Sequence, residues 1–447
     1  MPTIAYHTLG CKVNQYETEK MREALESVGF ETVPFGSRAD AYVINTCAVT
    51  AAADAKSRAA VRRALRLNPQ AYVVVAGCCA ELESGHFGAI EGVDLIVPNK
   101  DKHAVPELVA ARFNHVLGDD KQRRSTGIVR PRVRTRAIVK VQDGCDHFCS
   151  YCIVPFVRPG RRSRPMSEVL GEIEALAAFG YKEIVLAGIR LGSYSDGPAF
   201  LPDLILRVAA VQGVERLRLS SVEPWEVDEA LIDAVGHPKV CRHLHIPLQS
   251  GDDAVLERMN RPYTGRQYLE LVRRIREKVP GIGITTDVMV GFPGESERAF
   301  ENTCTMIEEA GFSRLHVFRY SPRKMTRAAQ MPDQIDEGTK KARSQILAEM
   351  GKAAVRRFAE SFVGRALEVL VERRSAGCGA PVEAKTSLAG FADNYVEVRF
   401  SGDASLIGRI VTVEITGVDK EGRALGSVSR SESPNGCGGA CRDFALS

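Results

Sequence analysis

The sequence predicts an α/β fold class with three parts: an N-terminal open parallel βα sheet, a central partial (βα)6 barrel and a small C-terminal antiparallel β-barrel. Three observations predict it. Near the N-terminus, short apolar runs alternate with stretches of helical periodicity. The same alternation resumes at Ala137 and continues to Phe318. Beyond Ser361, apolar residues recur at every second position, which is typical of half-buried strands.

Length and composition indicate a globular chain of several domains. With 447 residues, of which 44% are hydrophobic, the chain is too long for one ordinary core. No apolar run approaches a membrane span, and the opening "MPTIAYHTLG" lacks the features of a signal peptide. We therefore expect a cytoplasmic protein with no membrane partner. Its 12 cysteines then favour metal binding or chemistry over disulfides, because cytosolic thiols are kept reduced.

The N-terminal βα pattern places a cysteine after each of three predicted strands. The strands are Ile4–His7, Ala41–Ile44 and Ala71–Ala76, and the cysteines that follow them are Cys11, Cys47 and Cys78. Loops after parallel strands open at one edge of a sheet, so these cysteines are expected to converge there. From the residues alone, two interpretations stay open: a metal or cluster site, and three unrelated core cysteines.

Changes in composition suggest where domains begin and end. The stretch from Lys121 to Arg136 holds seven basic residues and no acidic one, and we interpret it as part of a linker. The predicted segments are an N-terminal cluster domain (1–113), a basic linker (114–136), the central barrel with a trailing helix (137–361), the terminal barrel (362–430) and a flexible tail (431–447).

The central region contains six predicted strands with helical stretches between them. The strands are Ala137–Val141, Glu183–Ala187, Arg216–Ser220, His243–Ile246, Gly283–Asp287 and Arg314–Phe318. In βα barrels the chemistry lies at the carboxyl ends of the strands. The loop after the first strand is therefore a candidate active-site loop.

That loop reads "DGCDHFCSYCIVPF" and contains Cys145, Cys149 and Cys152. A structural zinc site needs four closed ligands, and no fourth partner follows nearby. Three thiolates can instead hold three corners of a four-iron four-sulfur cluster and leave the fourth iron open. The alternative is that these cysteines are only small buried hydrophobic residues.

The C-terminal region alternates with period two in "ALEVLVE", "NYVEVRF" and "IVTVEIT". Several such strands in a short region predict a small antiparallel barrel. Barrels of this kind often bind oligonucleotides, although fold alone is only an analogy.

Together, the cysteine motif and several other stretches resemble the radical S-adenosylmethionine (SAM) methylthiotransferase family. The stretches are "GCKVNQYETE", "NTCAV", "AGC", "SSVEP", "IPLQSGDDAVLERMNRPYT", "TTDVMVGFPGE" and "VFRYSPR". The terminal barrel resembles a TRAM domain. The resemblance implies a central radical SAM barrel and two four-iron four-sulfur clusters, with SAM serving as both methyl donor and radical source.

In this resemblance, Cys145, Cys149 and Cys152 hold the catalytic cluster that binds SAM, while Cys11, Cys47 and Cys78 hold a second cluster that carries sulfur. Cys79 follows Cys78 where the family has another residue, and we expect its side chain to point elsewhere.

Candidate SAM contacts and the remaining cysteines rest on weaker signals. Residues at or near the later strand ends could contact SAM, but polar groups of loops and helix caps would look the same; they are Gly188, Glu223, Gln249 and Arg258. Isolated cysteines are interpreted as packing residues; they are Cys241, Cys304 and Cys378. Cys437 and Cys441 are assigned to the flexible tail, with weak metal capture as the alternative.

The resemblance also implies the partners. "GCKVNQYETE" resembles the group that acts on N6-threonylcarbamoyladenosine beside the tRNA anticodon. We expect the tRNA anticodon loop as substrate, no DNA, and an electron donor such as flavodoxin or ferredoxin. Basic residues around the cysteine loop, including Arg158, Arg161, Arg162 and Arg164, fit an approaching phosphate backbone. Family departures at Arg190, Met325 and Arg327 would alter substrate fit.

Three alternatives remain open at this stage. The chain could modify isopentenyladenosine in tRNA, or it could modify an aspartate of a ribosomal protein. The non-enzyme alternative is an RNA-binding protein stabilised by zinc.

Overall fold

The computed structural model describes residues 1–82, 84–114, 135–374 and 386–428. The chain divides into two compact units, Met1–Gly351 and the part from Lys352 onward. Most of the predicted linker, Cys378, and the predicted tail with Cys437 and Cys441 lie outside the described residues. Within the described part, no helix is long and apolar enough to cross a membrane.

The first unit begins with a five-stranded parallel sheet, which confirms the predicted βα sheet. Its strands are β1 (Thr3–Thr8), β2 (Glu31–Thr32), β3 (Ala41–Thr46), β4 (Tyr72–Gly77) and β5 (Leu95–Pro98). Their order is β2-β1-β3-β4-β5, so the three strands that precede the cysteine loops are neighbours. All six residues of β3 are buried, because separate apolar clusters cover the two faces of the sheet.

Helices follow these strands at the predicted cysteine positions. Helix α1 (Lys12–Glu26) begins directly after Cys11, and helix α2 (Ala51–Leu67) begins shortly after Cys47. The side chain of Thr50 caps α2 by accepting a hydrogen bond of 3.1 Å from the main-chain nitrogen of Ala53. The remaining helices of this part are Cys78–Leu82, Ser84–Gly88 and Val105–Arg112.

A half-barrel of six parallel strands follows in the same unit. In chain order the strands are Arg136–Lys140, Glu183–Ala187, Arg216–Leu219, His243–His245, Gly283–Val290 and Arg314–Arg319. They form two three-stranded sheets. The two sheets are joined at Leu217 of the third strand, whose main chain forms hydrogen bonds with Lys239 and Cys241, just before the fourth strand. The predicted partial barrel is confirmed.

Helices alternate with these strands along the chain, and several of them pack against the apolar cluster of the half-barrel. They are Val154–Val157, Met166–Ala178, Leu201–Ala209, Glu229–Val235, Asp253–Arg258, Gly265–Lys278, Glu297–Ala310 and Glu337–Glu360. Local signals set their ends: Thr264 and Gln267 form a capping box, and Gly311 closes another helix in the left-handed conformation that favours glycine.

The second unit contains a closed five-stranded barrel. Its strands are Ala366–Arg374, Thr386–Ala392, Glu397–Gly402, Ile410–Val418 and Ala424–Val428. Inward residues such as Val369, Val398 and Val413 are fully buried. The small barrel is therefore confirmed. Strands Glu397–Gly402 and Ala424–Val428 pair in parallel, whereas the other pairs are antiparallel as predicted.

Candidate functional site

The three N-terminal cysteines converge at one edge of the parallel sheet. Cys11, Cys47 and Cys78 follow β1, β3 and β4, whose ends are in register. Burial raises the pKa of Cys47 to about 11, and the neighbouring Cys78 and Cys11 also raise it. The predicted convergence of these three side chains is therefore present in the structure.

Gly10 makes room for this arrangement. Its φ of +93° lies in the region that favours glycine, and a Cβ atom there would lie 2.8 Å from the Cys47 sulfur. Cys79 points in another direction, as expected, because its thiol donates a hydrogen bond of 2.9 Å to the main-chain oxygen of Cys47.

The second group of thiols lies in the loop after the first barrel strand. Burial raises the pKa of Cys152 to about 12, and the neighbouring Cys149 and Cys145 act in the same direction. The end of a barrel helix holds this loop, since Ser150 donates from its main chain to Met259 at 3.0 Å and from its hydroxyl to Arg258 at 2.8 Å. Three thiols are thus brought together on one short loop.

Arg261 is a site residue that the sequence analysis missed. It is 5% exposed, pairs with Glu223, and donates a hydrogen bond of 3.5 Å to the Cys149 sulfur. Burial raises the pKa of Cys149, and the Arg261 charge opposes that effect. Its guanidinium also lies 4.5 Å from the ring centre of Trp225. Arg261 stands in the same motif as the predicted Arg258. The motif therefore indicated an arginine at the site, but the sequence did not show which of the two it was.

The four predicted SAM contacts have different surroundings. Glu223 lies close enough to Cys145, Cys149 and Cys152 for its charge to act on all three. At Gly188 a Cβ atom would lie 2.9 Å from the Cα of Leu191, so packing within the protein already requires glycine.

The other two candidates differ in which part of the residue makes the contact. Gln249 has a φ of +66° and donates its main-chain N–H to Asp287 at 2.8 Å. The guanidinium of Arg258 lies against Gly294, where an added Cβ would meet its Nη1 atom at 1.9 Å.

A buried ionic network, here called the Glu17 network, connects the sheet to the half-barrel. It consists of Asn14, Glu17, Asn45, Lys102, Lys140, Asp143 and Arg158. Glu17 accepts from Lys102 at 2.6 Å and from Arg158 at 2.8 Å. Burial acts to raise the pKa of Glu17, but the Lys102, Arg158 and Lys140 charges outweigh it and hold the pKa well below its ordinary value.

The network corrects part of the expected phosphate-binding surface. Arg158 is only 2% exposed and is bound within the Glu17 network, so it cannot face a nucleic-acid backbone. Arg164 pairs with Glu172 at 2.7 Å. Arg161 and Arg162 are exposed, although Arg161 pairs with Asp146. The sequence could not separate these arginines, because their partners are remote along the chain.

The concave side of the half-barrel, here called the lumen, is polar. Alternate residues of the six strands pack into the apolar cluster beneath the helices, so the intervening residues face the lumen. The ionisable and histidine side chains among them are Arg136, Lys140, Glu183, Arg216, Arg218, His243, His245, Asp287, Arg314 and His316. Among these residues, three arginines pair with Glu183, and Lys140 belongs to the Glu17 network.

Three histidines lie together in this lumen. His243 and His245 both bond to the Thr285 hydroxyl, at 3.0 and 2.9 Å. His245 also lies 3.2 Å from Asp287, and its ring centre is 5.5 Å from that of His316. These contacts give the lumen directional hydrogen-bonding groups.

The donor chemistry of both thiol groups fits an iron–sulfur cluster. Each group supplies three soft sulfur ligands, which favour such clusters over hard cations. Within the described ranges, no three His, Cys, Asp or Glu side chains lie close enough to hold one metal ion. A four-iron cluster is larger than a single ion and holds its thiolates further apart.

This fold and site define the class of the protein. A half-barrel with a three-cysteine loop after its first strand is the arrangement of a radical SAM enzyme, and the model described as "Radical SAM superfamily" matches residues 139–307. The solved structure of the radical SAM methyltransferase TsrM from Kitasatospora setae is similar in fold, with a TM-score of 0.53 and 18% identity over 73% of this chain and 77% of TsrM.

Full-length relatives specify the family. The model described as "Uncharacterized protein family UPF0004" matches residues 3–98. The Threonylcarbamoyladenosine tRNA methylthiotransferase MtaB of Bacillus subtilis is 39% identical, covering 93% of this chain and 94% of the relative. The tRNA-2-methylthio-N(6)-dimethylallyladenosine synthase of Syntrophomonas wolfei is 36% identical over 92% and 94%. The chain belongs to the radical SAM tRNA methylthiotransferase family and is a transferase. Membership implies a four-iron four-sulfur cluster and SAM as cofactors and tRNA as substrate.

Arg190 generates a testable electrostatic prediction. Burial raises the pKa of Glu226 to about 7, and the paired Arg190 lowers it. Replacing Arg190→Gln should therefore move this pKa above about 7. Trp225 is the single tryptophan of the chain, so its fluorescence in the cluster-free protein should report the titration. Because the folded-state pKa exceeds the ordinary value of 4.5, stability from this group falls as pH rises through the folded-state pKa.

Arg274→Gln is the matched control, since it breaks an exposed pair with Glu229. The control should leave the fluorescence titration in place. An unchanged midpoint in Arg190→Gln would contradict the assigned coupling between Arg190 and Glu226.

Proposed function

We propose that this protein adds a methylthio group to C2 of N6-threonylcarbamoyladenosine next to the anticodon of tRNA. Sequence identity alone does not separate this substrate from dimethylallyladenosine, because relatives named for either one are 34% or more identical. The observation that carries the proposal is the polar lining of the lumen.

The two candidate bases differ in what they would bring to that lumen. A dimethylallyl group is a hydrocarbon, and covering the partly exposed His245 or Asp287 with it would remove water without replacing its hydrogen bonds. A threonylcarbamoyl group carries a carboxylate, a hydroxyl and amide groups. The partly exposed Arg314 of the lumen matches that carboxylate, and Thr285 and the nearby histidines match the other polar groups.

We also propose which thiols hold the cofactors. Cys145, Cys149 and Cys152 would hold the cluster that binds SAM, and Cys11, Cys47 and Cys78 would hold a second four-iron four-sulfur cluster. When bound, these groups and SAM supply the radical, methyl and sulfur chemistry that protein side chains lack.

The chain itself positions and shields these groups. Ile153 and Val157, beside the second thiol group, lie in one apolar cluster with Cys78 of the first. Part of each thiol group therefore borders the same packed apolar region. Arg261 fixes Glu223 beside Cys149, and we expect Glu223, Gly188, Gln249 and Arg258 to border the bound SAM.

The partners follow from the same proposal. A base next to the anticodon is already exposed in its loop, so little unpairing is needed to bring it to the enzyme. We expect a cytoplasmic enzyme that receives electrons from a donor such as flavodoxin or ferredoxin.

Analysis of modified tRNA nucleosides tests the substrate. In a strain that lacks this protein, we expect the 2-methylthio form of N6-threonylcarbamoyladenosine to disappear while its unmodified precursor accumulates. The purified enzyme should act on tRNA that carries the threonylcarbamoyl group and not on tRNA that carries the dimethylallyl group. Mass spectrometry of digested tRNA measures both.

Two results would contradict the proposal. One is loss of the 2-methylthio form of dimethylallyladenosine, and the other is unchanged tRNA together with a loss of modification on a ribosomal-protein aspartate. Complementation with the native chain is the control in each strain.

Gly10→Ala tests the second cluster. The added Cβ would meet the Cys47 sulfur and strain a residue of positive φ. We expect iron to fall from about eight to about four atoms per chain, because only the N-terminal cluster is lost. Iron and sulfide assays on anaerobically purified protein measure this.

The matched control is Gly197→Ala. Gly197 also has a positive φ, but a Cβ there would meet nothing within 4 Å. Full iron content in Gly10→Ala would contradict the proposed ligand set.

A further inference from the structure

We propose that Arg158 is a positioning residue for the cluster at Cys11, Cys47 and Cys78: its buried guanidinium donates to the sulfur at Cys78 and, with Lys102, balances the cluster's negative charge. This inference rests on the proposed second cluster. It assigns Arg158 a role in setting the reduction potential of that cluster.

The side chain of Arg158 is held in one orientation. Its Nη1 atom donates to Asp143 at 2.7 Å and to Glu17 at 3.1 Å. Its Nη2 atom donates to Glu17 and to Asn14, both at 2.8 Å. A guanidinium with this many fixed acceptors has no freedom to turn away from the site.

One donor of this guanidinium is left over. In the part of the chain that the structure describes, the Nε atom of Arg158 has no hydrogen-bond partner, although the residue is 2% exposed. Buried donors are nearly always satisfied, so an unpaired one indicates a missing acceptor. The sulfur ligands and sulfides of an iron–sulfur cluster are acceptors of this kind.

The partners of Arg158 indicate where that acceptor belongs. Asn14 accepts from both Arg158 and Lys102, and it donates to the main-chain oxygens of Leu9 and Thr46, which lie beside the N-terminal thiols. Val157, next to Arg158, packs in one apolar cluster with Cys78. Both cations therefore lie at the sheet edge that carries these thiols. Lys102 is itself bound to Glu17 at 2.6 Å, so the two cations share one anchor.

The charges of the Glu17 network do not cancel. It contains three cations, Lys102, Lys140 and Arg158, and two carboxylates, Glu17 and Asp143. Because Lys102 and Arg158 are buried and only Lys140 is partly exposed, this excess positive charge is poorly solvated and unfavourable. A four-iron four-sulfur cluster with three thiolates carries net negative charge, which increases on reduction, and it would supply the missing anion beside Cys78.

Arg158 also connects this site to the other thiol group. Its main-chain oxygen accepts a hydrogen bond of 3.2 Å from the nitrogen of Cys145. One residue thus holds the first cysteine of the barrel loop through its main chain and faces Cys78 with its side chain. Arg158 thereby links the positions of the two cofactors.

The potential of the N-terminal cluster tests the inference. The experiment uses the full chain with Cys145, Cys149 and Cys152 replaced by Ala, so that only the N-terminal thiols remain. Electron paramagnetic resonance during a redox titration measures the midpoint. Nearby positive charge and hydrogen bonds to sulfur stabilise the reduced cluster. In this background, Arg158→Gln should lower the equilibrium constant for reduction at least tenfold, which is about 59 mV for one electron.

Two variants separate this role from a purely structural one. Arg158→Lys keeps the charge but loses the planar fork, so its midpoint should lie between those of the parent and Arg158→Gln. Lys140→Gln removes one charge from the same network but makes its contacts with Glu17 and Asp143 rather than with Cys78. Its midpoint should shift less than that of Arg158→Gln.

Each possible outcome either supports or contradicts the inference. Loss of iron from Arg158→Gln, with Arg158→Lys still loaded and the circular dichroism unchanged, would also support the inference. An unchanged midpoint in Arg158→Gln would overturn it, as would equal shifts in Lys140→Gln. Loss of iron in all three variants would assign the network a structural role only. If the background chain with native Arg158 holds no iron, the second cluster itself is wrong, which is a distinguishable failure.

Discussion

The arrangement of the first unit depends on the ion pair between Glu17 and Arg158. Glu17 belongs to the helix that begins after Cys11, and Arg158 follows the barrel loop that contains the second thiol group. Because both side chains are largely buried, their attraction is weakly screened, and removing either partner would leave an uncompensated charge. Since Lys102, Lys140 and Asp143 converge on the same pair, the geometry of both thiol groups is set together.

The half-barrel then determines what kind of substrate the site can accept. Its strands alternate between an apolar face, which packs beneath helices, and a lumen face that carries charge. Arg, Glu and His in the lumen give up the packing energy that Val or Leu would supply there. A functional role that compensates for this loss is therefore expected. The proposed recognition of a polar, anionic nucleoside would provide one.

Much of this organisation could be predicted from the sequence. The βα rhythm placed Cys11, Cys47 and Cys78 after strands of one parallel sheet, and loops after such strands open at the same edge. The six barrel strands and the period-two terminal barrel followed from hydrophobic patterning alone. The parallel pair in the terminal barrel could not be predicted, since alternation gives the faces of a strand and not its neighbours.

The network that links the two thiol groups was not predictable in the same way. Local charge density suggested that Arg158 faces solvent, yet its partners Asn14 and Glu17 lie far away along the chain. The contact between Arg261 and Cys149 was missed for a related reason, because two arginines in one motif differ only in where the helix end directs them. Pairs between charges that are remote along the chain can be identified only once the fold is known.

Anomalous X-ray diffraction at the iron absorption edge, from crystals of the anaerobically purified protein, tests the central claim most directly. The account predicts two separate iron clusters per chain, one among Cys11, Cys47 and Cys78 and the other among Cys145, Cys149 and Cys152. A single iron cluster at the barrel loop, or signal at the zinc edge in place of the iron signal, would contradict it.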